Sequence, residues 1–596
     1  MKKPLSQTWD LDVFFPGGSR SKEFAAFLQR LEKDIEHLQK QIKQMEVPQS
    51  TQATGDLVQT VYLADEIQGR LKEAIAFTEC LTAQNVKDEQ AKLLYAQVVQ
   101  LHSAYESALI ELDKLILQIP QAVWNEFLAT KPISSVSFPL NERREQAMEK
   151  LPPEQEVLAN DLAVDGYHAW HDLYNKVVGR VTIPVEKDGK VQELSAGQAW
   201  NLFSHEDRSV RASVFAKWEE KWGKEAEFCA HALNHLGGFR LQLYRHRGWN
   251  SVLKEPLKIN RMSEQTLQTM WEVIDRNKDL LAAYLHRKAK LLGLEKLSWY
   301  DISAPVGEVS KKISYDEAAD IIVEQFERFS PKMARFAEKA FEERWIEAED
   351  RPNKGPGGFC TPFGVSRQSR IFMTYSGTPD NVSTLAHELG HAYHQYVMDD
   401  LPQLVQNYAM NVAETASTFA EMLVADAAVK NAANEQERVV LLEEKAQSCT
   451  AFLMNIHARF LFETEFYEKR KKGLLSVEEL NELMVSAQKR AYREALGGYD
   501  PYFWASKLHF YITEVPFYNF PYTFGYLFSY GVYARALEEG RAFEEKYIHL
   551  LRDTGRMTVE ELAQKHLGVH LTRPDFWESA VHLALADVKE FLRLTE

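Results

Sequence analysis

A chain of 596 residues, with 45% hydrophobic, 26% charged and 11% aromatic side chains, has ample material for a packed core and too little polarity for a disordered protein. Its formal net charge of -16 disfavours nucleic acid as a partner, because that affinity rests on lysine and arginine neutralising phosphates. Nowhere do about 18 apolar residues run uninterrupted, so no membrane span is expected. Cys80, Cys229, Cys360 and Cys449 are scattered, with neither a CxxC pair nor a disulfide framework. A reducing compartment suits them, and the opening MKKPLSQTWDLDVFF lacks an apolar run of signal-peptide length, which together predict a cytoplasmic protein.

In chain order, WDLDVFFPGGS leads into residues 21 to 45, where apolar residues recur at three and four spacing between charges, the pattern of an amphipathic helix. Similar spacing over most of residues 55 to 118 predicts a helical hairpin or bundle, with Pro48 and Pro120 near its breaks. At VTIPVEKDGKVQEL two alternating runs flank Asp188-Gly189, a dipeptide suited to a tight β-hairpin turn. The change of pattern divides the chain into an N-terminal helical domain, 1–190, and a second domain, 191–596. Residues 351 to 364 are broken by glycine and proline, SRIFMTYSG suits a strand, and TLAHELGHAYHQ then lies on a helix with Asp380 or Asn381 as N-cap. Segments 403–430, 434–472 and 476–496 are helical again.

His387 and His391 are four apart, so on a helix both imidazoles leave one face and can grip one ion. A catalytic zinc takes three protein ligands and a water. Glu388 sits at the edge of the same site, placed to act as general base on that water as it attacks a peptide carbonyl. The third ligand has to come from downstream. Glu414, in NVAETASTFAE, follows among small residues that permit close helix packing, and Glu421 recurs two turns later, where it is either an orienting partner of a ligand or a solvated acid. His394 is open between a site role and a core or surface role. Gly390 suggests close approach of another backbone.

Residues 509 to 531, HFYITEVPFYNFPYTFGYLFSYG, are too aromatic for a surface loop. Phe510, Phe517, Phe520, Phe524 and Phe528 are assigned to core packing. His509 and the tyrosines differ, since an imidazolium or a phenol can donate to a developing oxyanion, and proline and glycine there suggest a loop able to reach the cleft.

HELGHAYH, the downstream AETAS and FPYTFGYLFSYG together resemble the M3 family of zinc metallopeptidases, in its oligoendopeptidase F-like branch. WDLDVFFPGGS, RHRGWNSVL and LSWYDISAP look like the same branch, so the resemblance spans nearly the whole chain. It implies a mainly α, two-lobed, zincin-like fold with a deep substrate channel and a small β-sheet next to the zinc helix. It implies one Zn2+ per chain on His387, His391 and Glu414, with Glu388 as base, and the choice of Glu414 over other downstream acids owes much to it. FGYLFS places Tyr526 on the family's transition-state tyrosine. Other members carry a histidine nearer that tyrosine than His509 stands here, so Tyr518 and Tyr522 are substitutes for it in oxyanion or substrate contacts. Gly358 and Phe359, with Gly357, are similar to the family's substrate-binding strand, though a structural turn accounts for the glycines equally well.

The expected function is hydrolysis of internal bonds of short peptides by a zinc-bound water. The alternatives are dipeptidyl- or carboxypeptidase-type trimming, or peptide binding without turnover. Short peptides are the expected partners, with nucleic acid and membranes excluded and the oligomeric state open.

Overall fold

A computed structural model describes residues 4–187, 189–307 and 312–596. Three long helices open it: α1 (Lys22–Gln44), α2 (Gly55–Gln84) and α3 (Glu89–Leu117). Ser21 caps α1 by accepting from Phe24 N at 3.2 Å, and the stripe Phe24, Leu28, Leu31, Ile35, Leu38 and Ile42 is buried against the other two helices. The stretch expected to be helical from 55 to 118 is interrupted once, where Asp88 caps α3 through Ala91 N.

Next comes a hairpin of β1 (Thr182–Lys187) and β2 (Lys190–Ser195), antiparallel, with Lys187 opposite Lys190. Gly189 has φ +71, the left-handed backbone that a two-residue turn demands, while its expected partner Asp188 lies outside the described residues. The 39-residue helix α4 (Arg208–His246) follows.

A second sheet places the site. Its strands β3 (Ile346–Glu347), β4 (Phe359–Phe363) and β5 (Gln368–Phe372) lie in the order β3-β5-β4, with β3 parallel to β5 and β4 antiparallel, Phe359 facing Phe372. Helix α2 reaches across to this sheet. Glu73 accepts from Val365 N and Ser366 N at 3.0 and 3.1 Å, and Thr361 Oγ1 donates to Glu79.

Helix α5 (Pro379–Met398) then carries the histidines. Its cap is Thr378, which accepts from Asn381 N at 3.2 Å, rather than Asp380 or Asn381 as expected. Pro379 explains the shift, because it has no N–H to lose and its fixed φ suits the first helical position. The Asn381 side chain turns back to Ser376. Helix α6 (Met410–Lys430) begins later than the expected 403, after a 3₁₀ turn at Gln403–Gln406. Beyond it run α7 (Glu435–Thr450), a π turn at Ala451–Asn455, α8 (Ile456–Arg470), α9 (Val477–Ala491), α10 (Phe520–Glu539) and α11 (Pro574–Leu594). The expected loop over 509–531 is therefore only half loop: Pro521 falls in the first turn of α10, where it starts a helix instead of breaking one.

Hydrophobic side chains form two clusters. One is drawn from residues 9–140 together with Phe363, Phe372 and Val405, and the other from Ala163 to Phe591. Among the described residues no helix is long and apolar enough to cross a membrane.

Candidate metal and peptidase site

Helix α5 lies against α6 at unusually short range. A Cβ on Gly390 would stand 2.5 Å from the Ala416 carbonyl oxygen and 2.6 Å from Ser417 Cα, so only glycine fits there. This close approach brings Glu414 to the histidines. His387 Nε2 lies 3.2 Å and His391 Nε2 3.5 Å from Glu414 Oε2, and one donor atom from each of the three residues falls within 4.8 Å of the others. Helix α10 closes the back of the group: Gly525 sits under Glu414, and Ser529 Oγ donates to the Glu414 carbonyl at 3.0 Å.

Charges in the cluster interlock. Burial opposes a cation on His387, yet Glu414 and Glu421 outweigh it and push the imidazole up to about 10. Burial favours the neutral acid of Glu414, but His387, His391 and the Ser417 hydroxyl hold it at about 2. His391 is driven down to about 4 by burial. Without a metal the group thus keeps one proton, on His387, as its positive charge. A divalent cation taking the place of that proton would meet two imidazole nitrogens and one carboxylate oxygen, the donor set of a catalytic zinc site. The residues therefore fit such an ion. Glu421 accepts from His387 Nδ1 at 3.0 Å, which leaves Nε2 to the ion.

Glu388 is buried, with Oε2 lacking any hydrogen-bond partner among the described residues. Burial raises its carboxyl to about 7, His387 pulling it down and Glu414 pushing it up. A carboxyl that titrates near neutrality and keeps a free oxygen is suited to passing a proton in both directions. Gly358, at the head of β4, would set a Cβ 3.6 Å from Glu388 Oε1, so this glycine keeps the space beside the acid clear. Phe359 stacks on Phe372 at 5.2 Å and supports the strand from below.

The aromatic segment divides in two. Tyr522 and Tyr526 both line a cavity of about 580 Å³ together with His387 and Glu414. Tyr526 is stacked on Phe452 at 4.4 Å, with its hydroxyl engaged by Tyr530 and Cys449. Tyr522 feels the Glu414 carboxylate directly and packs against Tyr518 and His509, at ring separations of 5.2 and 6.0 Å. His509 is neutral, since burial, Arg459 and Lys507 push it down to about 3; any hydrogen bond it donates comes from an imidazole rather than an imidazolium. His394 turns away from all of these. It is fully buried, stacked on Tyr408 at 4.2 Å and bonded to Thr554 Oγ1 at 2.9 Å, so it belongs to the core.

Sequence spacing missed Asp380, Glu444 and Phe452, which line the same cavity from three different elements. Nothing local marks them, because their shared position exists only once α5, α7 and the π turn have packed.

The model of Peptidase family M3 matches residues 201–583, and that of Oligopeptidase F matches 116–182. The chain belongs to peptidase family M3. As an M3 peptidase it is a hydrolase of peptide bonds, and the His387, His391 and Glu414 cluster is a possible metal site within a family of metallopeptidases. The chain is 23% identical to Oligopeptidase PepF of Bacillus subtilis over 96% of its own length and 85% of that protein. It is 21% identical to the plasmid oligoendopeptidase F of Lactococcus lactis subsp. cremoris, covering 100% of this chain and 98% of the relative. Among solved structures, oligoendopeptidase-F from Enterococcus faecium superposes with a TM-score of 0.71 at 18% identity, covering 96% and 99% of the two chains. PZ peptidase A, solved with an inhibitor, also gives 0.71, at 15% identity over 94% and 97%. The expected mainly helical peptidase fold with small sheets is thus present.

Proposed function

We propose that this chain is a zinc-dependent oligoendopeptidase that hydrolyses internal bonds of short peptides. The observation that carries the reading is the convergence of His387, His391 and Glu414 next to a buried carboxyl, Glu388, that has an unpartnered oxygen. The names of the relatives, oligopeptidase and oligoendopeptidase, support short peptides as the substrate class. Zinc bound there supplies a Lewis acid and brings the pKa of a water down to about 7.

The chain's own groups do the rest. Glu388 takes the proton of the attacking water on Oε2 and returns it to the departing amine. Tyr522 and Tyr526 supply phenol donors on the cavity wall, with His509 and Tyr518 packed around Tyr522. Gly358 and Phe359 flank the substrate strand beside Glu388, so that an extended peptide meets backbone there. Cytoplasmic residence and one zinc per chain belong to this same reading.

The test compares the native chain with Glu388→Gln for metal content and for hydrolysis of a short-peptide library. About one zinc per chain is expected in both, with hydrolysis reduced 10²-fold or more in the variant. Undiminished hydrolysis by the variant would overturn the assignment of the base, and absence of zinc from active enzyme would overturn the metal.

A further inference from the structure

The cavity of about 580 Å³ that His387 and Glu414 line is walled by α5, α6, α7 and the helix Tyr315–Phe329. Three of these helices bring an acid to it: Asp380 on α5, Glu421 on α6 and Glu444 on α7. Asp380 stands two turns before His387 on the same helix face. Glu421 is engaged by His387, and the lysine on the wall, Lys445, is already held by Asp426 and Asp587. The carboxylates of Asp380 and Glu444, both open to the cavity, have no hydrogen bond and no ion pair among the described residues. The charges that act on them are themselves acids: Glu421 on Asp380, and Asp380 and Glu443 on Glu444. Burial, then Asp380 and Glu443, lift the Glu444 carboxyl to about 7, and burial with Glu421 raises Asp380 as well. A cation arriving beside them favours the ionised form of both.

A second, independent observation comes from the fourth helix. Gln325 is only 7% exposed, lines the same cavity, and makes no side-chain hydrogen bond among the described residues. A buried amide without a partner is costly, and the cavity is where a partner can reach it. Between these polar groups the wall is apolar, with Ile321, Val382, Met422 and Leu441. Such a lining suits a side chain with an aliphatic stem and a charged tip. It does not suit a metal ion: among the described residues only His387, His391 and Glu414 bring three ligating atoms within 4.8 Å of one another, so Asp380, Glu421 and Glu444 do not converge on one.

We propose that this cavity is a specificity pocket for a lysine or arginine side chain of the peptide, with Asp380 and Glu444 as its counter-charges and the Gln325 amide oxygen as a neutral acceptor. The proposal rests on the peptidase reading above and deepens it by naming the substrate class: peptides with a long cationic side chain close to the scissile bond. Closeness follows from the shared lining, since His387, Glu414 and Tyr526 belong to the same cavity. An ammonium or guanidinium makes charge-assisted bonds to carboxylates, whereas a neutral side chain of the same length leaves the acids and the amide unpaired. An acidic side chain adds to the like charges already present and is rejected.

The experiment uses one peptide sequence carrying lysine, or its uncharged analogue norleucine, at each position around the scissile bond in turn, with the N-terminus free or acetylated, and kcat/KM is measured for each. At one position the native enzyme should prefer lysine by about tenfold or more, as a charge-assisted bond implies, with the N-terminus free or acetylated alike. That ratio should fall in Asp380→Asn and in Glu444→Gln, and approach one in the double variant; both changes keep side-chain shape, and circular dichroism checks the fold. Equal hydrolysis of the lysine and norleucine peptides at every position overturns the pocket, and so does a preference that survives the double variant. A rate that depends on the free N-terminus and not on lysine overturns it too, because the cation recognised is then the terminal ammonium. Hydrolysis of none of the peptides overturns the peptidase reading itself, an outcome distinct from equal hydrolysis of all.

Discussion

Glu421 illustrates how a side chain outside the His387, His391 and Glu414 group still shapes the candidate metal site. By accepting from His387 Nδ1 at 3.0 Å it leaves Nε2, the atom that faces Glu414, to an ion that would displace the proton there, and it holds the ring 4.9 Å from that of His391. Glu421→Gln keeps the shape and a carbonyl acceptor but removes the charge. Zinc affinity measured by competition with a chelator should fall 10- to 100-fold in this variant, with its far-ultraviolet spectrum unchanged. An unchanged affinity would mean that the contact leaves the metal unaffected. At this scale the sequence was partly legible: the spacing of His387, Glu388 and His391 proclaims a shared helix face, whereas Glu421 was indistinguishable from a solvated acid until α6 had docked.

At the scale of elements, the segment carrying His509, Tyr518 and Tyr522 is held by a short stretch far away in sequence. In the π turn Val164–His168, Tyr167 donates its hydroxyl to Thr513 O at 2.9 Å and His168 Nδ1 meets Thr513 Oγ1 at 2.8 Å; His171 Nδ1 meets Tyr511 O at 2.9 Å in the helix that follows. Wide π turns often coincide with such functional contacts. Replacing Tyr167 by Phe and His171 by Ala should raise amide exchange across residues 511–518 and lower kcat more than it changes KM, because the loop would then present its donors in more than one position. Exchange unchanged in that loop would show that its own packing suffices. Periodicity alone had no access to this contact, since the partners lie more than 300 positions apart.

Over the whole molecule, the N-terminal helices are part of the scaffold of the candidate site. Glu73 on α2 accepts from Val365 N, Ser366 N and the Ser366 hydroxyl, and so fixes the turn between β4 and β5, the strands that set Gly358 beside Glu388. Gly364 permits this, as a Cβ there would lie 2.7 Å from Gly69 O on the same helix. Glu73→Ala leaves buried donors unpaired and should cost about 1–3 kcal/mol in denaturant unfolding, with a loss of kcat/KM on short peptides. Unaltered stability would show that water replaces the carboxylate at no cost.

By itself the sequence determined what short-range periodicity can encode: a mainly helical chain, a hairpin around Gly189, the helix bearing His387, Glu388 and His391, and the small-residue face of α6 that Gly390 packs against. Helical spacing and glycine's lack of a side chain are local properties, so they can be read one segment at a time. Only the tertiary structure decided that Glu414 meets both histidines, that His394 belongs to the core, and that Glu421 turns to His387. Each of those depends on the distance and the dielectric between groups remote in sequence, and neither exists until the helices have packed.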